Sequence, residues 1–553
     1  MKRALCLCAV LLDSRKIVPM ASNLQNLVNN FKDWKFKSPP SYASLPIDSN
    51  PDYTTPTAVK NAVFSLVPTQ PISGNIRLVC ASEDALKDIL DLNPDVAESQ
   101  EFIDFITGKI LPEGGLCVSH RYGGYQFGFW ADQLGDGRAH VLGEYINSKG
   151  ESWQLQLKGS GETPYSRFGD GRAVLRSSIR EMVASEACYF LGVPTTRAAA
   201  LVVSDEKSVW RDKNYSGMTK QERAAVVLRL APCWYRIGSL EILTMRKEHE
   251  LLKKLCDFII KEHFPEIDYE SEDKYVTWFK RVAHKNLDMV ATWQGFGFTH
   301  GVLNTDNISL LGLTIDYGPY GFIDHYYQFY VPNTSDDGGR YAFNKQPTIL
   351  IWNLEKMYKA MAPILTDAQK QQIEEFLPTL NDYVERKVLE TYLRKLGLHQ
   401  CQDGDEKFVH AFLELMQQKM ADFTATFKQL GELNPQEFID KNSTENKWSL
   451  NKLADSGETW KNWVQKYEQR LASEGVTEEE RRARMSTVNP AYVPRNWMLQ
   501  EAIADAENDD FKKVKFLLEV LRRPFEVNEE AEKQGFSSPP PTWSYGLKLS
   551  CSS

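Results

Sequence analysis

His300-Gly301-Val302-Leu303-Asn304-Thr305-Asp306-Asn307 is followed by an apolar run from Ile308 to Ile315 and then by Asp316-Tyr317-Gly318. Gly312 lies near the middle of the run, so a short hairpin would bring Asn307 and Asp316 opposite one another at its open end. One carboxylate and one amide oxygen suffice for Mg²⁺, which takes oxygen ligands and keeps water or phosphate oxygens in its remaining positions. Mn²⁺ suits the same hard donors. A turn rich in Asn and Asp that holds no ligand is the competing reading.

The segments upstream supply cations and glycines. Val141 to Lys158 reads as a hairpin around Asn147-Ser148-Lys149-Gly150, with Trp153, Leu155 and Leu157 on one face and Lys158 therefore off the other. Leu175, Ile179, Met182, Val183, Phe190 and Leu191 recur at helical spacing, with Gly192 and Pro194 as the stop. A strand Lys paired with a Glu on the next helix, here Lys158 and Glu181, is how kinase-like folds grip nucleotide phosphates, and Asp-Tyr-Gly matches their metal-binding segment. Gly135-Asp136-Gly137-Arg138 and Gly169-Asp170-Gly171-Arg172 bracket the Lys158 hairpin. Each alone is a tight turn; repeated around one Lys, they offer close backbone approach and bidentate Arg for phosphate. Arg229 and Arg236 add donors for a polyphosphate, or are surface charges. A conventional kinase loop carries its proton-accepting Asp two positions after the His, where this chain has Val302. Asp306 is the nearest substitute base, or else a carboxylate that orients Asn307 or a metal-bound water.

A chain of 553 residues exceeds one hydrophobic core, so two or more lobes are expected. With 42% apolar and 25% charged residues the composition is that of a folded globular protein. A net charge of -9 argues against a nucleic-acid partner. The apolar run Ala4 to Leu12 is too short to cross a bilayer, so no stable membrane insertion is expected. Nine cysteines without a C-x-x-C spacing point to a reducing compartment. Lys2, Arg3, Arg15, Lys16 and Lys32 against Asp13 resemble a mitochondrial presequence, with a cytoplasmic protein carrying a plain extension as the alternative.

The organisation expected is α+β, a bilobal kinase-like fold with a strand-rich lobe followed by a helix-rich lobe. Residues 1–34 form a targeting extension and 35–119 a wrapping segment, loop-like over 35–75 where Pro and Ser abound. The strand-rich lobe spans 120–240, with further strands at Ala199 to Ser204 and Ala225 to Leu230. The helix-rich lobe spans 241–480, with Leu251 to Glu262, Leu354 to Ala362 and Phe408 to Leu430 predominantly helical. A helical extension covers 481–536 and an exposed tail 537–553. The charged stretch Glu478 to Arg482 reads as a solvated helix face.

On these motifs the chain resembles the selenoprotein O family of kinase-like protein adenylyltransferases. The resemblance rests on Gln133-Leu134-Gly135-Asp136-Gly137-Arg138, Leu157-Lys158-Gly159, Thr163-Pro164-Tyr165-Ser166-Arg167, Ser178-Ile179-Arg180-Glu181, Arg229-Leu230-Ala231-Pro232, and Asn304-Thr305-Asp306-Asn307 followed by Asp316. It runs from about His120 through Trp352, with a later echo in Asn489 to Asn496. It implies transfer of AMP, from ATP bound in a reversed orientation, to Ser, Thr or Tyr hydroxyls of proteins. It further implies Gly135, Gly137, Arg138, Lys158, Asp170, Gly171, Arg229 and Arg236 around ATP, Asn307 and Asp316 as magnesium ligands, and Asp306 as proton acceptor. Many eukaryotic members carry a selenocysteine in a C-x-x-U arrangement near the C-terminus; here Cys551 stands in that place and Lys548 replaces the partner cysteine. Two other functions stay open: a catalytically silent ATP-binding pseudokinase scaffold, on the strength of Val302, and a redox protein acting through Cys551.

Overall fold

A computed structural model describes residues 27–50, 57–212, 217–547 and 549–550. The targeting reading of the first residues, and the readings of Cys551 and Lys548, therefore fall wholly or mainly outside the described residues. The first half of the chain builds one nine-stranded sheet, from β1 (Ile47–Asp48), β2 (Phe64–Leu66), β3 (Ile76–Ala81), β4 (Val118–His120), β7 (Ala139–Ile146), β8 (Ser152–Lys158), β9 (Ala173–Val174), β10 (Arg197–Arg211) and β11 (Lys220–Ala231). Its order is β1-β2-β4-β7-β8-β11-β10-β3, with β9 set against β11. Two strands outside it, β5 (Tyr125–Gln126) and β6 (Phe129–Trp130), form a separate hairpin.

Alternation along the strands dictates what covers the sheet. Leu155 and Leu157 of β8 and Val226 and Leu228 of β11 face a core built with Trp34, Phe36, Leu86 of α1 (Glu83–Asp88) and Phe102 and Phe105 of α2 (Gln100–Ile106). The opposite face, with Val141, Val227 and Leu201, packs against Ile179, Met182 and Val183 of α3 (Leu175–Phe190). Glycine ends α3 as its sequence requires: Gly192 adopts φ +81°, open to glycine without a Cβ penalty.

The second half is helical: α4 (Ile237–Met245), α5 (His249–His263), α6 (Lys274–Phe296), α7 (Gln346–Met361), α8 (Asp367–Phe376), α9 (Thr379–Lys395), α10 (Asp405–Gln418) and α11 (Phe423–Leu430), with further helices to Lys533. The fold is thus α+β, with a sheet-rich N-terminal region and a helical C-terminal region. Among the described residues no helix is long and apolar enough to cross a membrane.

Three local expectations are corrected. Residues 35–75 are not a loose wrapping loop: they contribute β1 and β2, and Tyr42, Leu45, Val63 and Phe64 are buried. Proline there punctuates short packed pieces. Phe408 to Leu430 is predominantly helical, as read, in two helices, because the chain turns between Lys419 and Asp422, with Met420 at φ +49° and the Asp422 side chain capping α11. Arg481, in the stretch read as a solvated face, is fully buried and donates to the carbonyls of Leu430 at 3.0 Å and Leu433 at 2.6 Å. The supposed tail packs back: Trp448 Nε1 donates to Ser537 O, Tyr545 stacks on His325, and Leu549 pairs with Asn333.

Candidate nucleotide and metal site

The sheet region and the helical region meet around a cavity of about 810 Å³. Lys158 ends β8, paired with Val227 on one side and Ala139 on the other, and its ammonium donates to Glu181 Oε2 at 2.5 Å. Arg229 lies opposite Gln156 across the β8–β11 ladder and bridges two carboxylates, Glu181 Oε1 at 2.7 Å and Asp316 Oδ1 at 2.6 Å. Arg236 caps the start of α4 and donates Nη1–H to Asp316 Oδ2 at 2.8 Å and to the Asp306 carbonyl at 2.9 Å. The two oxygens of Asp316 are thus held by two arginines, with Lys158 Nζ 3.9 Å from the first. Burial would raise the Asp316 pKa, but Arg236, Arg229 and Lys158 outweigh it and hold the carboxyl well below its ordinary range. Burial likewise pulls Lys158 below its ordinary value, opposed by Glu181.

Asn307 and Asp316 both line the cavity, but no hairpin ladder joins them. The intervening run is pinned to its neighbours instead: Ser309 bridges to Arg236 and Thr314 to Thr195, with a turn closed by Gly312 N–H to Ser309 O. Asn307 donates Nδ2–H to Val302 O at 2.9 Å, which fixes the amide and leaves Oδ1 as the oxygen for a cation. Among the described residues no group of three or more His, Cys, Asp or Glu is arranged around a metal. The residues present therefore fit a hard cation shared with phosphate oxygens, not an all-protein cage.

The glycine segments wall the same space. Gly135, Gly137 and Arg138 line it, and a Cβ at Gly135 would meet the Tyr165 ring at 2.3 Å. Buried Asp136 accepts from Gln156 Nε2 at 2.9 Å, completing a chain through Gln156 to Arg229. Asp170 and Gly171 line the cavity too, but Asp170 is clasped by Arg211 through two 2.8 Å bonds. Arg172 braces the Lys158 turn, donating to Gln70 O and Gly159 O.

Three of the residues expected at the site sit behind its lining: Glu181, Arg236 and Asp306. For the first two this is a supporting position. Asp306 is 7% exposed, and its carboxylate lies against the turn before β5: a Cβ at Gly124 would be 2.6 Å from Oδ1. Oδ2 accepts from Gln126 Nε2 at 3.3 Å, and Oδ1 is buried without a hydrogen bond. Burial pushes the Asp306 pKa up to about 6, against the pull of Arg236 and of Gln126. Its neighbour Thr305 donates to Glu241 Oε2 at 2.6 Å, and burial raises that carboxyl to about 8. Sequence reading passed over Gln126, Tyr122, Phe168, Trp210 and Arg211, all of which line the cavity. The paired glycines Gly123-Gly124 were the available signal for the first two.

Fold and cleft together define a class: an α+β protein whose sheet and helical regions close on a cation-lined cavity with hard-oxygen ligands, chemically suited to a nucleotide polyphosphate. Residues 53–522 match the sequence profile of a family described as protein adenylyltransferase SelO. A protein nucleotidyltransferase YdiU from Ectopseudomonas mendocina is 42% identical over 479 residues, 86% of this chain and 93% of that one. Relatives of the same description from Azoarcus sp. and Pseudomonas fluorescens are 41% and 40% identical, over 90% and 87% of this chain and 95% and 94% of theirs. The chain belongs to the SelO family of protein adenylyltransferases.

Proposed function

We propose that this chain transfers AMP from ATP to a Ser, Thr or Tyr hydroxyl of a protein, on a kinase-like scaffold, with ATP reversed so that its α-phosphorus faces the acceptor. The observation that carries this reading is Val302, which lines the cavity where a kinase would present its base, while the carboxylate left for that role, Asp306, sits one residue before Asn307. A valine cannot take a proton, and loss of a positioned base costs a phosphoryl-transfer site about 10² to 10⁴ in rate.

The chain's own groups divide the work. Lys158, Arg229 and Arg138 set positive charge along the cavity for the phosphates, and Glu181 and Gln156 hold the first two in place. Arg236 fixes Asp316 and the Asp306 backbone together, so the metal-ligand carboxylate and the base move as one unit. Asn307 and Asp316 would hold Mg²⁺ or Mn²⁺, which when bound neutralises phosphate charge and orients the leaving group. Asp306 takes the acceptor proton as the hydroxyl oxygen bonds to the α-phosphorus and the bond to the pyrophosphate oxygen breaks.

One observation favours the rival reading, a scaffold that binds ATP without transfer: Asp306 faces Gly124 and Gln126, not the cavity. Incubation with α-labelled and γ-labelled ATP separates the two. Adenylylation places α-label, and an AMP mass increment, on protein; γ-label alone means phosphorylation, and nucleotide binding with neither label means a scaffold.

A further inference from the structure

The β5–β6 hairpin is short, strained and hydrogen-bonded to the turn that carries Asp306. Its two central residues, Phe127 and Gly128, both have positive φ, +51° and +92°, the conformation of a two-residue type I′ turn. A phenylalanine tolerates that region poorly. The Phe127 N–H compensates by donating to Tyr341 Oη at 2.9 Å and to Asn304 Oδ1 at 3.2 Å. Tyr125 N–H donates to Thr305 Oγ1 at 2.7 Å, and Gln126 Nε2–H to Asp306 Oδ2 at 3.3 Å. Three consecutive hairpin residues thus bind three consecutive residues of the 304–306 turn.

The side-chain bond falls at the chemically interesting position. Gln126 lines the nucleotide cavity beside Val302 and Asn307, whereas Asp306 does not. Gln126 therefore belongs both to the cavity wall and to the hydrogen bonding of the carboxylate. Gly124 makes room for the carboxylate behind it, since any Cβ there would collide with Oδ1. Of the two carboxylate oxygens Gln126 occupies one, and the other has no hydrogen bond at all. An unsatisfied buried acceptor is costly, so the single bond from Gln126 carries the whole side-chain anchoring of this carboxylate.

We infer that Gln126 is a positioning residue for AMP transfer: reaching from the cavity wall, its amide holds Asp306 Oδ2 and fixes the carboxylate that takes the acceptor proton. The inference rests on the adenylylation reading. In the step, the acceptor O–H proton goes to the Asp306 carboxylate, the acceptor oxygen bonds to the α-phosphorus, and the electron pair of the breaking bond leaves with pyrophosphate. Gln126 neither gains nor loses a proton. Its role is to keep the carboxylate from rotating.

The test uses the full chain with Gln126→Met, which keeps the side-chain length without the hydrogen bond, and Gln126→Glu, which sets a second carboxylate against Asp306. The readouts are transfer of label from α-labelled ATP to a synthetic peptide pool carrying one Ser, Thr or Tyr each, and ATP affinity by fluorescence titration. Expected are a fall in kcat of at least tenfold for Gln126→Met and a larger one for Gln126→Glu, with KM and Kd for ATP within twofold of the parent. An unchanged kcat, or a fall matched by an equal loss of ATP affinity, overturns the inference. Melting curves cover misfolding: with thermal midpoints like the parent's, the kcat loss counts as positioning, and with lowered midpoints that track the loss, Gln126 is merely structural. Failure of the adenylylation reading looks different, because the parent chain itself then places no α-label on the peptides.

Discussion

Replacing Asp306 by Asn should abolish transfer yet make the protein more stable at neutral pH. The carboxyl is 7% exposed, one of its oxygens has no hydrogen bond, and burial raises its pKa from 3.8 to about 6. The sign follows from proton uptake. Between those two values the folded state holds a proton that the unfolded state has released, so stability falls as pH rises through this window and is level above it. A shift of about two units corresponds to about 3 kcal/mol, since each unit is about 1.4 kcal/mol. Asn carries no charge to desolvate and keeps an oxygen for the Gln126 amide. The shift to about 6 is already net of the attraction to Arg236, so the gain is up to about 3 kcal/mol. Urea unfolding of parent and Asp306→Asn at pH 4 and pH 8 checks this, because the difference between the two proteins cancels groups they share. The variant should gain on the parent between pH 4 and pH 8, and its transfer rate should drop by about 10² to 10⁴. A variant less stable than the parent at pH 8 would refute the reasoning, because the carboxylate would then be a structural brace and not a group held at a cost.

The proposed role of Asp306 as proton acceptor predicts that AMP transfer declines as pH falls through about 6, where the carboxylate becomes protonated, and a pH–rate profile with a limb near 4 would contradict it. Gly124→Ala places a methyl 2.6 Å from Asp306 Oδ1; kcat should fall more than tenfold with ATP affinity unchanged, measured by α-label transfer and titration. Lys158→Met leaves Glu181 facing only Arg229 and removes a cavity cation; ATP affinity should drop about tenfold or more, and an unaltered titration would show that the phosphates lie elsewhere. Asp316→Ala removes the carboxylate shared by Arg229 and Arg236. Chelating divalent metal should then no longer change ATP affinity, whereas it should weaken binding to the parent.

What was legible in the sequence follows from range. The Lys158 hairpin and α3 are encoded by nearest-neighbour periodicity, alternation on Trp153, Leu155 and Leu157 and the three-four spacing of Ile179, Met182 and Val183, and both appear as read. Lys158 and Glu181 are brought together by those two elements alone. β1 and β2 were missed because two- and three-residue strands carry no period; they are strands only because β4 presents an edge. α6, the longest helix, was passed over although Trp278, Val282, Leu287, Val290 and Trp293 mark its buried side. Arg481 was read as solvated because charge predicts exposure until a particular pair of carbonyls, on a segment some fifty residues away, takes it inside. At the site, the chemistry of Asn307 and Asp316 was readable, but their geometry was not. The bridges that hold the 308–315 run come from β10's approach at Thr195 and from Arg236, and nothing local specifies them.

The late segment Asn489 to Asn496 shows how distance in sequence hides a role at the site. Arg495 binds Asp422 through both carboxylate oxygens, at 2.6 and 2.9 Å, and Asp324 at 2.7 Å, anchoring the segment to the helical region. The next residue, Asn496, accepts from Arg180 Nη1 at 3.2 Å, and Arg180 is the α3 residue immediately before Glu181. Arg180 also donates to the Tyr320 carbonyl at 2.7 Å and stacks over the Tyr320 ring, four residues beyond Asp316. One buried arginine therefore joins the helix that carries the Lys158 partner, the segment that carries Asp316, and a strap from the far end of the chain. Arg180 has no carboxylate among these partners, and burial lowers its pKa, so a buried charge is kept where neutral groups solvate it. Such a charge is a poor source of stability and a good source of geometry, because it is satisfied only when all three segments are in place. The relative orientation of Glu181 and Asp316, on which the grip of Arg229 depends, is set in part by residues more than 170 positions downstream.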